Sequence, residues 1–468
     1  MECNDSLEDI YDFSILPNVT WVKIMSFLRL EDRYSLSVTC RTLYNVFNHP
    51  SLWHTLVIQM AGSPDNYSRE PSVSVQRKYF HLAKQFGRYF QNLSIKIQGH
   101  LNKFPEEWVG ILKELGMQCR LESLTLLVGP LTSAFHNQEG YKPEEQDLKA
   151  LMSFVEHAFR MKKIHIRSWP MYPTIQRDEN QNVFLALMKN PRLKDLECLT
   201  MFWAKETEWS ERKPILFTPD FVLTVIKHFR SLNHFALRSP MLSGEIIEEL
   251  GSRDRVKLQL LQIYVNYVNI SHNPNYQVPE ISSSSWSRLV ASSPDLRVQC
   301  TVFSRVPDVE LGNILKSEVP LEALHFSQYS RCSAQMLITI SDMYHRTLTR
   351  FVCLCNSNQV DWELVNLVYR CEHLNHFVYH GTLKVTTVET LARCRGTAWR
   401  TFEIMGINVV IDTEEPTPED QVIAQRQNGE YYLVGLLRHH QDEQQIDERR
   451  TVMIQAVSDC LGYKWCPV

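Results

Sequence analysis

The 468-residue sequence predicts an α/β chain: a small three-helix bundle followed by a long array of strand–helix units. Three observations lead there. An apolar-x-x-apolar-x-apolar triad recurs along the chain and settles near the C-terminus into intervals of 28, 27, 26 and 25 residues, counted between Ser293, Leu321, Leu348, Leu374 and Trp399. The N-terminal stretch instead shows the three- and four-residue spacing of helices. The length exceeds what one compact core usually holds, which favours an architecture that lengthens without thickening.

The bundle comes first. Trp21, Ile24, Phe27 and Leu28 lie at helical spacing, and Pro17 suits the first turn, where a missing N–H costs nothing. A second helix is expected from about Asp32, whose carboxylate can cap free N–H groups, with Leu36, Val38 and Cys40 apolar. A third runs from about Thr42 to Asn48 and stops before Pro50. Three helices this short bury little, so the bundle needs a partner or the following domain to hold it.

The order Leu16-Pro17, Ile24 with Leu28, Asp32-Arg33, Ser37-Val38-Thr39-Cys40-Arg41 and Pro50-Ser51-Leu52-Trp53 resembles the F-box. Two positions depart from its usual pattern: Val19 replaces a common acidic residue, and Leu43, with Tyr44 next, replaces a common aromatic one. The resemblance implies that Leu16, Pro17, Ile24, Leu28, Leu52 and Trp53 insert into the adaptor Skp1.

The array follows. The triad fits Phe90-Leu93-Ile95, Leu121-Leu124-Leu126, Met161-Ile164-Ile166, Leu193-Leu196-Cys198, Leu232-Phe235-Leu237, Leu260-Ile263-Val265, Leu321-Leu324-Phe326, Leu348-Phe351-Cys353, Leu374-Phe377-Tyr379 and Trp399-Phe402-Ile404, with Ser293-Leu296-Val298 an imperfect addition. Helix-like stretches such as Asp308 to Leu315 and Trp362 to Tyr369 lie between them. The pattern resembles leucine-rich repeats without their regular Asn or Cys ladder, and the resemblance implies a solenoid with parallel strands on a concave face. Alternation along the strands would turn Arg167, Arg238 and Tyr264, residue types common at protein interfaces, towards that face as substrate contacts.

The expected domains are an F-box over 10–58, a linker and lead-in helix over 59–89, about 10–11 irregular repeats over 90–410, an acidic loop over 411–430 and a C-terminal cap over 431–468. Polar, proline-bearing insertions are expected near 133–146 and 203–218.

A formal net charge of -4 lacks the basic excess that phosphate binding favours, so nucleic acid is not an expected partner. No apolar run approaches the roughly 20 residues that span a bilayer, and the acidic N-terminus does not read as a secretory signal. Cysteines inside strand-like segments, such as Cys198, Cys300 and Cys353, read as buried thiols of a cytoplasmic or nuclear protein. No phosphate-cradling loop, nucleophile elbow or metalloprotease motif is present. Cys353-Leu354-Cys355 and His439-His440 lack the matching ligands that zinc requires, and Cys394 between two arginines reads as a helix-end cysteine. No cofactor or metal is expected.

With the F-box resemblance, these features imply a non-catalytic, substrate-recognition subunit of a Skp1–cullin–F-box ubiquitin ligase, with Skp1, through it cullin, and a protein substrate as partners. The alternative is a repeat scaffold that delivers nothing to a ligase.

Overall fold

The computed structural model describes residues 16–61, 73–98, 111–116, 120–128, 152–167, 183–201, 217–265, 279–303, 305–355, 360–410, 424–427, 430–433 and 443–468. The expected insertion at 133–146, most of that at 203–218, the acidic segment up to residue 423, and His439 with His440 lie outside them. The chain forms two units, one from Met1–Ile215 with His228–Ser231, the other from Leu216–Lys227 with Leu232–Val468.

The first unit begins with helices α1 (Asn18–Phe27), α2 (Leu30–Ser37) and α3 (Arg41–Phe47) and a single 3-10 turn, Pro50–Trp53. Asp32 does not cap α2. Arg29 holds that position, and Asp32 sits in the first turn, where its charge suits the helix dipole and accepts from Arg29 Nε at 3.1 Å. Arg33 ties the bundle together, because its guanidinium donates to the carbonyls of Leu28 (2.9 Å), Ser26 (3.1 Å) and Leu52 (3.1 Å). One side chain thereby satisfies the open end of α1 and fixes it to the Pro50–Trp53 turn.

The sheet starts earlier than the triads from Phe90 onward indicate. Strand β1 (Thr55–Ala61) follows the turn at once and pairs in parallel with β2 (Asn92–Gln98). Trp53, Leu56 and Ile58 themselves satisfy the apolar-x-x-apolar-x-apolar template. Trp53 is 1% exposed, stacks on Phe86 of helix α4 (Val73–Phe86) with centroids 4.0 Å apart at 5°, and donates its indole N–H to Phe47 O at 2.8 Å. Phe47 meets both rings edge-on, at 5.0 and 5.9 Å. Lys78 of α4 reaches back to Glu31 at 2.6 Å.

Strands β3 (Ser123–Val128), β4 (Lys163–Arg167) and β5 (Cys198–Met201) continue the parallel order. The register rows run Leu56, Leu93, Leu124, Ile164, Leu199 and Ile58, Ile95, Leu126, Ile166, Met201. The triad Leu193-Leu196-Cys198 is therefore corrected to Leu196-Leu199-Met201, since Cys198 pairs with Lys163 and lies on the other face. Both readings satisfy the template, and a shift by an odd number of residues flips a strand.

In the second unit, seven strands run parallel in chain order: β6 (His234–Arg238), β7 (Leu260–Val265), β8 (Arg297–Val302), β9 (Leu321–Phe326), β10 (Arg350–Cys353), β11 (His376–Tyr379) and β13 (Thr401–Ile404). Two short strands, β12 (Leu383–Lys384) and β14 (Val409–Val410), form a separate pair. The core row is Leu237, Ile263, Cys300, Leu324, Phe351, Phe377 and Phe402, in which the last three rings stack at 5.9 Å centroid spacings. The triads at Leu232 and Leu260 are offset by two, because Phe235 pairs with Leu261, and an even shift keeps every side chain on its face.

The helices expected at Asp308 to Leu315 and Trp362 to Tyr369 appear as Asp308–Ile314 and Asp361–Arg370, and others span Gly244–Leu250, Ala334–Tyr344 and Val385–Arg395. Their open carbonyls, and those of neighbouring turns, find donors about one repeat away. Arg255 donates to Ile226 O, Trp286 to Ile314 O at 3.0 Å, Tyr344 to Lys316 O at 2.9 Å and Arg395 to Val368 O at 2.7 Å. In the first unit Asn190 does the same for Val155 O and Ala158 O.

The helix Glu443–Leu461 buries Met453, Val457 and Leu461, and Trp465 donates its indole N–H to Phe402 O at 2.9 Å. Val468 then pairs alongside β13 through Val468 N to Ile404 O and Gly406 N to Val468 O, both 3.0 Å, covering a sheet edge. Residue 406 must be glycine for this, since a Cβ there would meet the Pro467 ring at 2.8 Å.

Replacing Trp53 by alanine removes the aromatic joint between bundle and sheet. The expected loss is about 3–5 kcal/mol for the first unit, read as a lowered urea midpoint for that unit's transition in the full chain, whereas Trp362→Ala at an exposed position leaves the midpoint unchanged.

Candidate functional site

The bundle carries apolar side chains that its own core does not use. Met25 is the buried residue of α1, while Phe27 is 76% exposed, Val19 80% and Ile24 36%. Val19, Lys23 and Phe27 follow one another at four-residue steps, with Lys23 Nζ 4.9 Å from the Phe27 ring centroid. Tyr34 on α2, Val38 at its C-terminal cap and Tyr44 on α3 are also exposed. Pro17 is exposed, and Leu16 and Leu28 are half-buried. Clustered apolar exposure of this extent on a small bundle marks a protein-contact surface.

Leu52 and Trp53 stand apart from that surface. At 4% and 1% exposure they face inward, because the residues closing the bundle also open the first repeat. The departures noted in sequence sort in the same way: Leu43 is buried in the bundle, and Val19 and Tyr44 are exposed.

A second region is the face of the second unit's sheet opposite the core row. Arg238 and Tyr264 lie on it but are 3% and 7% exposed, with the Tyr264 ring 5.9 Å from that of Phe303. These two side chains are thus withdrawn from solvent, where alternation had placed them as open contacts. The Arg167 side chain lies outside the described residues. Alternation decides which face a residue occupies and says nothing of what else covers that face.

Further along this face the polar groups are linked in register. Gln262 donates to Gln299 at 2.8 Å, Gln299 to Glu322 at 3.0 Å, and Arg297 to Glu322 at 3.2 Å. Glu322 is the extra residue of a β-bulge, since Val298 pairs with Leu321 and Gln299 with Ala323. His376 Nδ1 lies 2.8 Å from Thr401 Oγ1, and His380 Nε2 3.1 Å from Glu403. His325 Nε2 is buried with no hydrogen-bond partner.

The cavity lined by His345, Tyr369, Arg370, Glu372, Cys394 and Arg395 encloses about 600 Å³. Its cations are engaged, Arg370 with Asp342 and Arg395 with the carbonyls of Val368 and Cys371. Cys394 is half-buried and burial pushes its thiol up, the opposite of what a nucleophile needs. The Cys353 and Cys355 sulfurs lie 3.4 Å apart inside the core. Burial pushes Cys300 and Cys371 up to about 12. Among the described residues no three His, Cys, Asp or Glu side chains gather as a metal site, and no helix is long and apolar enough to cross a membrane.

Burial, reinforced by neighbouring cations, holds His228, His325 and His376 below the ordinary value of 6.5. The folded chain then binds fewer protons than the unfolded chain at acid pH, so this contribution to stability is complete above about pH 6.5 and is lost as the pH falls below it. A series of thermal midpoints between about pH 8 and about pH 5 is expected to be level at the upper end and to fall at the lower, and His325→Gln with His376→Gln is expected to reduce that fall.

Residues 13–59 match the family described as F-box-like. The bovine (Bos taurus) F-box/LRR-repeat protein 21 is 23% identical over 382 residues, covering 80% of this chain and 79% of that protein. The human (Homo sapiens) F-box only protein 33 is 26% identical over 208 residues, covering 42% of this chain and 37% of that protein, so this second likeness spans well under two thirds of its length. A chain of the solved TLR13-ssRNA13 complex aligns over 77% of this chain and 52% of its own length, at TM-score 0.33 and 13% identity, too slight a likeness to bear on the fold, which rests on the strand register. The chain carries an F-box-like domain at its N-terminal end, continued through Trp53 into parallel strand–helix repeats, and has homologues named as F-box and F-box/LRR-repeat proteins.

Proposed function

We propose that the chain is a substrate-recognition subunit of a Skp1–cullin–F-box ubiquitin ligase. The observation that carries the proposal is the apolar surface left open on a bundle that is braced from within. Arg33 and Trp53 fix the helices to one another and to the repeats, so that Leu16, Pro17, Val19, Ile24, Phe27 and Leu28 are offered to a partner in a set arrangement. On this reading Skp1 covers that surface and Leu52 with Trp53 position it from behind. The F-box-like match and the names of the homologues support the same assignment.

The repeats then hold a protein substrate on their sheet face, and a separate conjugating enzyme transfers ubiquitin to it. The chain's contribution is proximity, the conversion of a bimolecular encounter into one within a complex. It is non-catalytic on this reading, and its compartment is the cytoplasm or nucleus.

The test is co-purification with Skp1. The intact chain is expected to retain Skp1 in near-stoichiometric amount. Leu16→Ala with Pro17→Ala, and separately Val19→Asp with Phe27→Asp, are expected to weaken capture at least about 30-fold, as loss of a central apolar anchor costs about 2 kcal/mol or more. Thermal midpoints should be unchanged, because these side chains lie outside the core. A folded chain that leaves Skp1 behind would sink the reading and favour a repeat scaffold.

A further inference from the structure

The outward face of β9, β10, β11 and β13 has its charges unevenly satisfied. Its carboxylates are engaged: Glu322 accepts from Arg297 and Gln299, and Glu403 pairs with His380. Its cations are not. Arg350 is exposed, stands in register between Ala323 and His376, and has no carboxylate partner among the described residues; Arg400, just before β13, is also exposed and has none among them. Diagonal to Arg350 sits His325, whose buried Nε2 lacks a partner. Val352 and Val378, paired in the adjoining register row, are half-buried and form the floor between these groups.

We propose that this face binds an extended acidic segment of a partner protein, carboxylates meeting Arg350 and His376 while an intervening apolar side chain lies on Val352 and Val378. The inference rests on the substrate-receptor reading and names the class of segment received. Charge complementarity selects the occupant. A basic segment would meet uncompensated Arg350 and find both glutamates already taken, whereas an acidic one supplies the missing partner.

The groups around the two histidines make this contact pH-dependent. His325 faces Gln299, Thr301, Arg350 and Val352 from the neighbouring strands, with Glu322 on its own strand; His376 faces Arg350, Thr401, Arg400 and Glu403. Arg350 disfavours the charged form of both histidines, in addition to the effect of burial. A carboxylate seated beside Arg350 reverses that balance, so that binding takes up protons and tightens as the pH falls.

The experiment uses the full chain and fluorescein-labelled peptides followed by anisotropy: one alternating Glu and Val, one alternating Gln and Val, and a single-stranded oligonucleotide of equal charge. The Glu/Val peptide is expected to bind at least about tenfold more tightly than the Gln/Val peptide, and several-fold more tightly at about pH 6 than at about pH 8. Arg350→Gln, at an exposed position that leaves folding intact, is expected to remove most of the preference. His325→Gln with His376→Gln, checked for an unchanged thermal midpoint at about pH 8, is expected to flatten the pH dependence. Equal binding of the two peptides, indifference to Arg350→Gln, no change with pH, or preference for the oligonucleotide would each overturn the proposal. Skp1 capture measured on the same preparations separates the two readings. A chain that captures Skp1 and ignores the acidic peptide loses this inference alone, and one that binds the peptide without Skp1 loses the ligase assignment alone.

Discussion

The stack of Trp53 on Phe86 is the contact on which the rest of the architecture depends. A three-helix bundle has too little interior to hold itself, and here its closing residue is also the leading residue of the first strand–helix unit. Core and joint are therefore one cluster, with Phe47 set edge-on to both rings and the indole N–H returned to the bundle's own backbone. The bundle borrows stability from the sheet, and in exchange its direction is set by β1.

The same economy governs the repeats. In several strand–helix units the open carbonyls of a helix end or turn are satisfied by a donor about one repeat away. Asn190, Arg255, Trp286, Tyr344 and Arg395 perform this role, five side chains of four chemical types. The physical requirement is a donor at a given place. Because several residue types can supply it, no regular ladder of one residue shows in the sequence although the ladder of interactions is present.

Both candidate surfaces are places where this internal satisfaction stops. On α1–α3 apolar side chains are left facing outward, and on the sheet face of the second unit Arg350 has no carboxylate partner and His325 Nε2 no hydrogen-bond partner among the described residues. The cavity near Arg395 has the shape of a site, yet its guanidinium closes the end of a helix, which accounts for its presence without a ligand.

The sequence by itself determined the class of the fold. A triad with period-2 alternation, separated by 3.6-period stretches, admits little besides parallel strands joined by helices, and the spans near Asp308 and Trp362 emerge within a few residues. Leu16 to Trp53 likewise carried the order of the F-box. Tertiary structure alone decided the register at β5, where Leu193-Leu196-Cys198 and Leu196-Leu199-Met201 fit one template and only pairing with β4 distinguishes them. It alone decided which apolar residues are core and which are surface: Met25 rather than Phe27 is the interior of α1, Trp53 turns inward, and Arg238 and Tyr264 are covered. The physical reason is that periodicity records that a side chain is to be buried, whereas the partner that buries it, whether a helix of the same chain or another protein, is set by contacts distant in sequence.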